Sequence, residues 1–198
     1  MRLIISEFMS LDGVIQAPGG ADEDRDGGFA HGGWSMPFFD PETMGATYAE
    51  VLASTDALLF GRRTWQTMAA VWPDRAGDPF ADRMNGIEKY VVTSSLGQGD
   101  LSWANSTRLD RDGDLSSVRR LLDDKEGNLL VMGSVSLAQA LIRSDLVDEY
   151  RLMLEPVTLG GGKRLFPDDG RLRALRLVSA TTAATGVQIC HFEPLRGA

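Results

Sequence analysis

One pattern, repeated three times, restricts the chain more than any other feature: a short apolar run that stops at small or hydroxylated residues and then gives way to a helix or loop. Ala57-Leu58-Leu59-Phe60 ends at Gly61, and Thr64 to Val71 follows with apolar residues at helical spacing. Lys89 to Thr93 is a second apolar strand, ending in Thr93-Ser94-Ser95. Asn128 to Met132 is a third, with Gly133-Ser134 as its turn and Val135 to Ile142 as its helix. Strands joined through helices pair in parallel, because a crossover returns the chain to the same end of the sheet. An α/β architecture follows.

The flanking segments complete it. Leu3 to Met9 reads as an opening strand closed by the turn-forming Ser10-Leu11-Asp12-Gly13. Gly19 to Gly33 is dense in Gly and Asp, too poor in apolar residues to pack as an element, and longer than ordinary connections, which marks a mobile or functional loop. Asp40-Pro41-Glu42 starts a helix running to about Ser54, with Asp40 as N-cap and Pro41 at the first position. Asp114 to Lys125 is a further helix, capped by Asp114 and stopped by Gly127. The tail changes character. Glu149 to Leu154 is a strand, Glu155 to Pro167 a glycine-rich connection, and Leu172 to Ala183 with Val187 to Glu193 a closing antiparallel pair around Thr185-Gly186. The expected fold has three layers: a mainly parallel central sheet, an antiparallel C-terminal edge and helices on both faces, in a single domain spanning residues 1–198.

The formal charge of −8 argues against a nucleic-acid partner, whose phosphates it repels. A single cysteine, Cys190, rules out an intrachain disulfide framework and suits a reducing cytoplasm. Glu7 interrupts the first apolar run too early for a secretory signal, and no stretch approaches membrane-spanning length, so a cytoplasmic protein without membrane contact is expected. His31 and His191 lack metal-ligand spacing, and no metal is expected.

In open α/β sheets ligands bind at the carboxyl ends of strands, where helix N-termini offer free N–H groups to anions. Gly61-Arg62-Arg63-Thr64, Thr93-Ser94-Ser95 and Gly133-Ser134-Val135-Ser136 together can line one phosphate-binding edge, although Gly and Ser at any one of them also serve turns and caps. Arg62 and Arg63 can pair with a pyrophosphate or ribose phosphate, or stand as solvated surface charge. Ser94 and Ser95 suit a 2′-phosphate and so favour NADPH over NADH. Gly160-Gly161-Gly162-Lys163-Arg164 lacks the spacing of a nucleotide-binding P-loop, and no G-x-G-x-x-G follows a strand. Of the four tryptophans, Trp34, just after the polar loop, is the ligand-facing candidate.

These segments, in order, resemble a known family. Ser10-Leu11-Asp12-Gly13-Val14-Ile15, Gly61-Arg62-Arg63-Thr64-Trp65, Lys89-Tyr90-Val91-Val92-Thr93-Ser94-Ser95 and Val131-Met132-Gly133-Ser134 are similar to dihydrofolate reductases and their relatives. Leu146-Val147-Asp148-Glu149-Tyr150, then Pro156 to Gly162 and Leu165-Phe166-Pro167, resemble the C-terminal reductase domain of RibD-type riboflavin-biosynthesis proteins. The resemblance implies an eight-stranded sheet with NADPH across the strand ends. It implies that Gly61, Arg62, Arg63 and Thr64 hold the pyrophosphate, that Ser94 and Ser95 hold the 2′-phosphate with Thr93 beside them in the cofactor site, and that Gly133, Ser134, Val135 and Ser136 make the remaining diphosphate contacts, with Gly161 in a turn near the cofactor. Asp12 and Gly13 fall at the nicotinamide and substrate end, and Lys163 and Arg164 are the cations available to a substrate phosphate. A homodimer is expected from relatives.

The acids available for catalysis are Asp12, Asp40 and Glu42; the first-helix position where dihydrofolate reductases carry a carboxylate falls at about Gly45. The H-x-E and C-x-x-C of the riboflavin-pathway deaminase are absent, so no deaminase activity is expected. The leading expectation is an NADPH-dependent reductase of a small heterocycle of the 5-amino-6-(5-phosphoribosylamino)uracil type. The alternatives are a dihydrofolate or other pterin reductase and, from another class, a noncatalytic nucleotide-binding module.

Overall fold

The computed structural model describes residues 1–75 and 77–196. Eight strands form one sheet: β1 (Arg2–Ser10), β2 (Ala57–Gly61), β3 (Glu88–Thr93), β4 (Ser106–Asp110), β5 (Asn128–Val131), β6 (Glu149–Glu155), β7 (Leu175–Thr182) and β8 (Gln188–Pro194). Their order is β4-β3-β2-β5-β1-β6-β8-β7. Every pairing from β4 to β6 is parallel, while β8 runs antiparallel to both β6 and β7. The expected mainly parallel sheet with an antiparallel C-terminal edge is what the chain forms.

Among the described residues five α-helices cover it: α1 (Ala46–Ala53), α2 (Arg62–Ala69), α3 (Pro79–Gly86), α4 (Ser116–Asp124) and α5 (Val135–Arg143). Neighbouring residues of a strand point to opposite faces, and the core divides accordingly. Leu3 and Ile5 of β1 join Val118, Leu121, Leu137 and Leu141 from α4 and α5 on one face. Ile4 joins Val51 and Leu52 of α1, Trp65 of α2 and Met84 of α3 on the other. Strands buried on both faces explain why the apolar runs are continuous rather than alternating. Among the described residues no helix is long and apolar enough to cross a membrane.

The structure adds two elements that the strand–helix pattern does not reveal. Helix α3 is capped by Asp78, whose carboxylate accepts from the Phe80 and Ala81 N–H groups, with Pro79 at its first position. Strand β4 lies at the sheet edge and is half exposed, so its sequence Ser-Thr-Arg-Leu-Asp lacks a hydrophobic run. The helix expected from Asp40 opens as a wide turn over Pro41–Gly45, with the Gly45 N–H donating to the Asp40 carbonyl, before becoming α1.

Candidate active site

The carboxyl ends of β1, β2, β3 and β5 open into one cleft of about 1800 Å³. Gly61, Arg62, Arg63, Thr64, Thr93, Ser94, Ser95, Gly133, Ser134, Val135 and Ser136 all line it, so the three strand ends separated in sequence form one wall. Helices α2 and α5 both start on this wall, and neither Gly61 nor Ser134, their N-cap residues, provides a side-chain cap. Their first N–H groups are therefore available to an anion, with the positive helix ends behind them. The wall is also tight. A Cβ built on Gly61 would stand 2.2 Å from Ser134 Oγ, and one on Gly133, at φ +87°, would stand 3.0 Å from Thr64 Oγ1. Backbone that must approach so closely is open only to glycine. Arg75 and Arg111, which sequence reasoning missed, line the same cleft. Free helix N-termini, glycine backbone and a group of arginines fit the two phosphates and ribose phosphate of a nicotinamide dinucleotide.

The long polar loop lies along the opposite rim, residues 19–26 contributing to the lining. Gln16 anchors its base, its Nε2 donating to the Asp24 and Asp26 carbonyls and its Oε1 accepting from the Lys163 N–H. The Asp26 carboxylate accepts from both Arg63 and Lys163, and Asp24 also pairs with Lys163. These pairs clip the loop across the cleft from α2 to the C-terminal connection.

Other expected site residues are used elsewhere. The Asp12 carboxylate accepts from Ser10 Oγ and from the Leu159 and Gly160 N–H groups at 3.1 and 2.9 Å, and these bonds, led by Ser10, hold it down at about 2. It fixes the turn after β6 and is absent from the cleft lining, as is Gly13, which approaches the Arg164 side chain. Arg164 Nε donates to the Asp12 carbonyl, outside the cleft, leaving Lys163 as the cleft-lining member of that pair. Trp34 is buried with its indole N–H on the Gln16 carbonyl, packing the loop base instead of facing a ligand. Asp40 caps its turn by accepting from the Glu42 N–H, and neither acid reaches the cleft. Gly161 lies in the open 160–162 turn, also outside the lining.

The acids that do face the cleft are different. Glu7, on β1, lines it beside Tyr48 and Glu23. Burial pushes the Glu7 carboxyl up to about 8 against the pull of the Gly133 backbone N–H, and the Glu23 charge adds to the rise. Burial also raises Glu23, whose carboxylate accepts from the Gly19 and Gly20 N–H groups. Glu155, outside the cleft lining and fully buried at the end of β6, accepts from Ser35 Oγ, and burial lifts it to about 7. With folded values above the usual 4.5, Glu7 and Glu155 keep protons that the unfolded chain releases. Their contribution to stability is complete below about 4.5 and is lost as pH rises through about 7 and 8.

Residues 2–189 match the family model of the RibD C-terminal domain. The Bacillus subtilis (strain 168) protein YyaP is 28% identical over 191 residues, covering 94% of this chain and 91% of its own. A Shewanella sp. PV-4 protein named for riboflavin biosynthesis superposes with a TM-score of 0.74 at 18% identity, over 99% of this chain and 100% of that one. Dihydrofolate reductase from Enterococcus faecalis, solved with NADP(H), superposes with a TM-score of 0.61 at 14% identity, over 98% and 96% of the two chains. With its eight-stranded sheet and strand-end cleft, the chain belongs to the RibD C-terminal domain family and has the dihydrofolate-reductase-like fold.

Proposed function

We propose that the chain is an NADPH-dependent reductase of a small heterocyclic substrate. The observation that carries this reading is the convergence of two uncapped helix N-termini on a glycine-narrowed wall flanked by Arg62, Arg75 and Arg111, with Arg63 held on Asp26. Gly61 to Thr64 and Gly133 to Ser136 would hold the pyrophosphate, and Thr93, Ser94 and Ser95, with Arg111 nearby, the 2′-phosphate. When bound, the cofactor supplies a hydride from its nicotinamide; the protein supplies binding, orientation and a dry pocket. Family membership supports the reductase class.

The experiment is a fluorescence titration of NADPH against NADH, on wild type and on Arg62→Ala and Ser94→Ala. NADPH is expected to bind more tightly than NADH, and each substitution to weaken NADPH about 10- to 100-fold, the effect of losing one or two hydrogen bonds to a charged group. Failure of wild type to bind either nucleotide would end this reading. Binding without NADPH oxidation across a panel of heterocycles would favour the noncatalytic nucleotide-binding module.

A substrate of the 5-amino-6-(5-phosphoribosylamino)uracil type requires a cation for its phosphate. Lys163 is the expected residue on the cleft, and it is paired with Asp24 and Asp26. We therefore favour an unphosphorylated heterocycle.

A homodimer is also part of the reading. It is supported by β7, an edge strand exposed along nearly its whole length, with Leu177 and Val178 at 52% and 42% exposure. An uncovered apolar edge of this kind invites a second copy. Light scattering should give twice the mass of one chain, and Leu177→Lys with Val178→Lys should return it to one.

A further inference from the structure

We propose that Glu7 is the proton donor of the reaction, giving its proton to the nitrogen of a C=N bond in an unphosphorylated heterocycle. This rests on the reductase reading above. The β1–β5 register pairs Ile5 with Val131, and its continuation by two residues brings Glu7 level with Gly133, the turn assigned to the cofactor. The side chain thus stands where the phosphate wall passes into the rest of the cleft. Its Oε1 is sealed from solvent and has no hydrogen-bond partner. A buried carboxyl without a cation is costly in its charged form and stays protonated instead. The titratable groups that face it are Tyr48 from α1 and Glu23 from the loop, and neither is a cation. Burial, helped by the Glu23 charge and against the pull of the Gly133 N–H, keeps the proton on Glu7 at neutral pH.

An acid in this state can do what the other candidate acids cannot. Asp12 is held ionised by its hydrogen bonds and lies outside the cleft, as do Asp40 and Glu42. Reduction of C=N by a nicotinamide hydride donor adds the hydride, with its electron pair, to carbon. The π pair of the C=N bond then takes the Glu7 proton to form N–H, leaving Glu7 as carboxylate until water restores the proton. One hydride and one proton are consumed, and the oxidised nicotinamide leaves. The substrate class follows from the same surroundings. Glu23, and Glu7 once it has given up its proton, would repel a phosphate at this end, whereas Phe8 and Tyr48 offer flat apolar surface to a ring.

The test uses quinoxalin-2-one, a weakly basic C=N heterocycle that stays unprotonated near neutral pH, with NADPH. Wild type should reduce it at a rate level below about pH 8 and falling about tenfold per unit above. Glu7→Gln should lower kcat about 100-fold and abolish that limb, the usual effect of removing a general acid. Its NADPH affinity, within about threefold of wild type, reports an intact fold. Glu7→Asp should recover part of the rate together with the pH limb. Independently of turnover, ¹³C NMR of protein labelled at the glutamate carboxyls should show one group titrating near pH 8 that is missing in Glu7→Gln. A Glu7 carboxyl titrating in the ordinary range overturns the proposal, as does equal reduction by wild type and Glu7→Gln. So does a wild type that binds NADPH but leaves quinoxalin-2-one unreduced. Absence of NADPH binding in wild type would instead remove the cofactor reading beneath it.

Discussion

A single methyl group at position 61 is expected to weaken NADPH binding by at least 100-fold, and a second substitution, Ser134→Gly, to restore most of it. The Cβ of Gly61→Ala would fall 2.2 Å from Ser134 Oγ and 3.0 Å from Ser134 Cβ. Both distances are below van der Waals contact; the Ser134 hydroxyl makes no cap and can rotate away, but its Cβ is fixed to the backbone that starts α5. The helix start must move, taking with it the N–H groups that face the cleft. Overpacking of this kind costs about 1–3 kcal/mol of stability, and the chain should remain folded by circular dichroism. Binding should suffer more than folding, since both helix N-termini have to point at one pyrophosphate. Ser134→Gly removes the two atoms that clash and leaves the next neighbour, the Ser134 backbone nitrogen, at 3.6 Å. The double variant should bind within about tenfold of wild type, a coupling that additive effects cannot produce. Fluorescence titration of the two single variants and the double one decides it. Undiminished binding by Gly61→Ala would show that the nucleotide does not lie on this wall.

What the sequence made legible was local. The ends of β2, β3 and β5 could be read because a glycine or hydroxyl residue after an apolar run has meaning within four residues of itself, and all three lie on the cleft. The acids could not be read in this way. Asp12 has the look of a strand-end acid, but its carboxylate is committed to the N–H groups of Leu159 and Gly160, 147 and 148 residues away. Lys163 looked like a free cation until the fold set Asp24 and Asp26 against it. Glu7 was visible and carried a signal. A charged residue between Ile5 and Met9, in a strand that both neighbours cover, is costly to keep. In the sequence it served only to end an apolar run. Its meaning depended on knowing that β1 lies at the centre of the sheet.

A stability determinant of similar kind lies at the other end of β3, where Lys89→Met is expected to cost about 3–4 kcal/mol and leave the cleft intact. Lys89 is fully buried, yet it is not an unpaired charge. Its Nζ donates to the carbonyls of Ile87, Asn85 and Ala104 at 2.8, 3.0 and 3.1 Å and stands 4.4 Å from the centre of the Trp103 ring. Two of these carbonyls belong to the end of α3 and the residue that follows it, where orphan acceptors and the negative helix end both favour a cation. One ammonium thus joins α3, β3 and the segment leading into β4. Methionine fills nearly the same volume and keeps the apolar packing, so its cost isolates the hydrogen bonds. The Ile87 carbonyl would be left buried without a donor, at about 1–3 kcal/mol before relaxation, and the half-buried Asn85 and Ala104 carbonyls would each lose a charged donor. At pH 7, below the value of about 8 to which burial pulls this ammonium, all three donors are present in wild type. Urea denaturation should show the loss as a lower midpoint at unchanged slope, and calorimetry as a Tm about 10 °C lower. NADPH affinity should hold, because Val92 and Thr93, at the opposite end of the strand, are the β3 residues on the cleft. A loss below about 1 kcal/mol would mean that burial of the ammonium costs nearly as much as its three hydrogen bonds return.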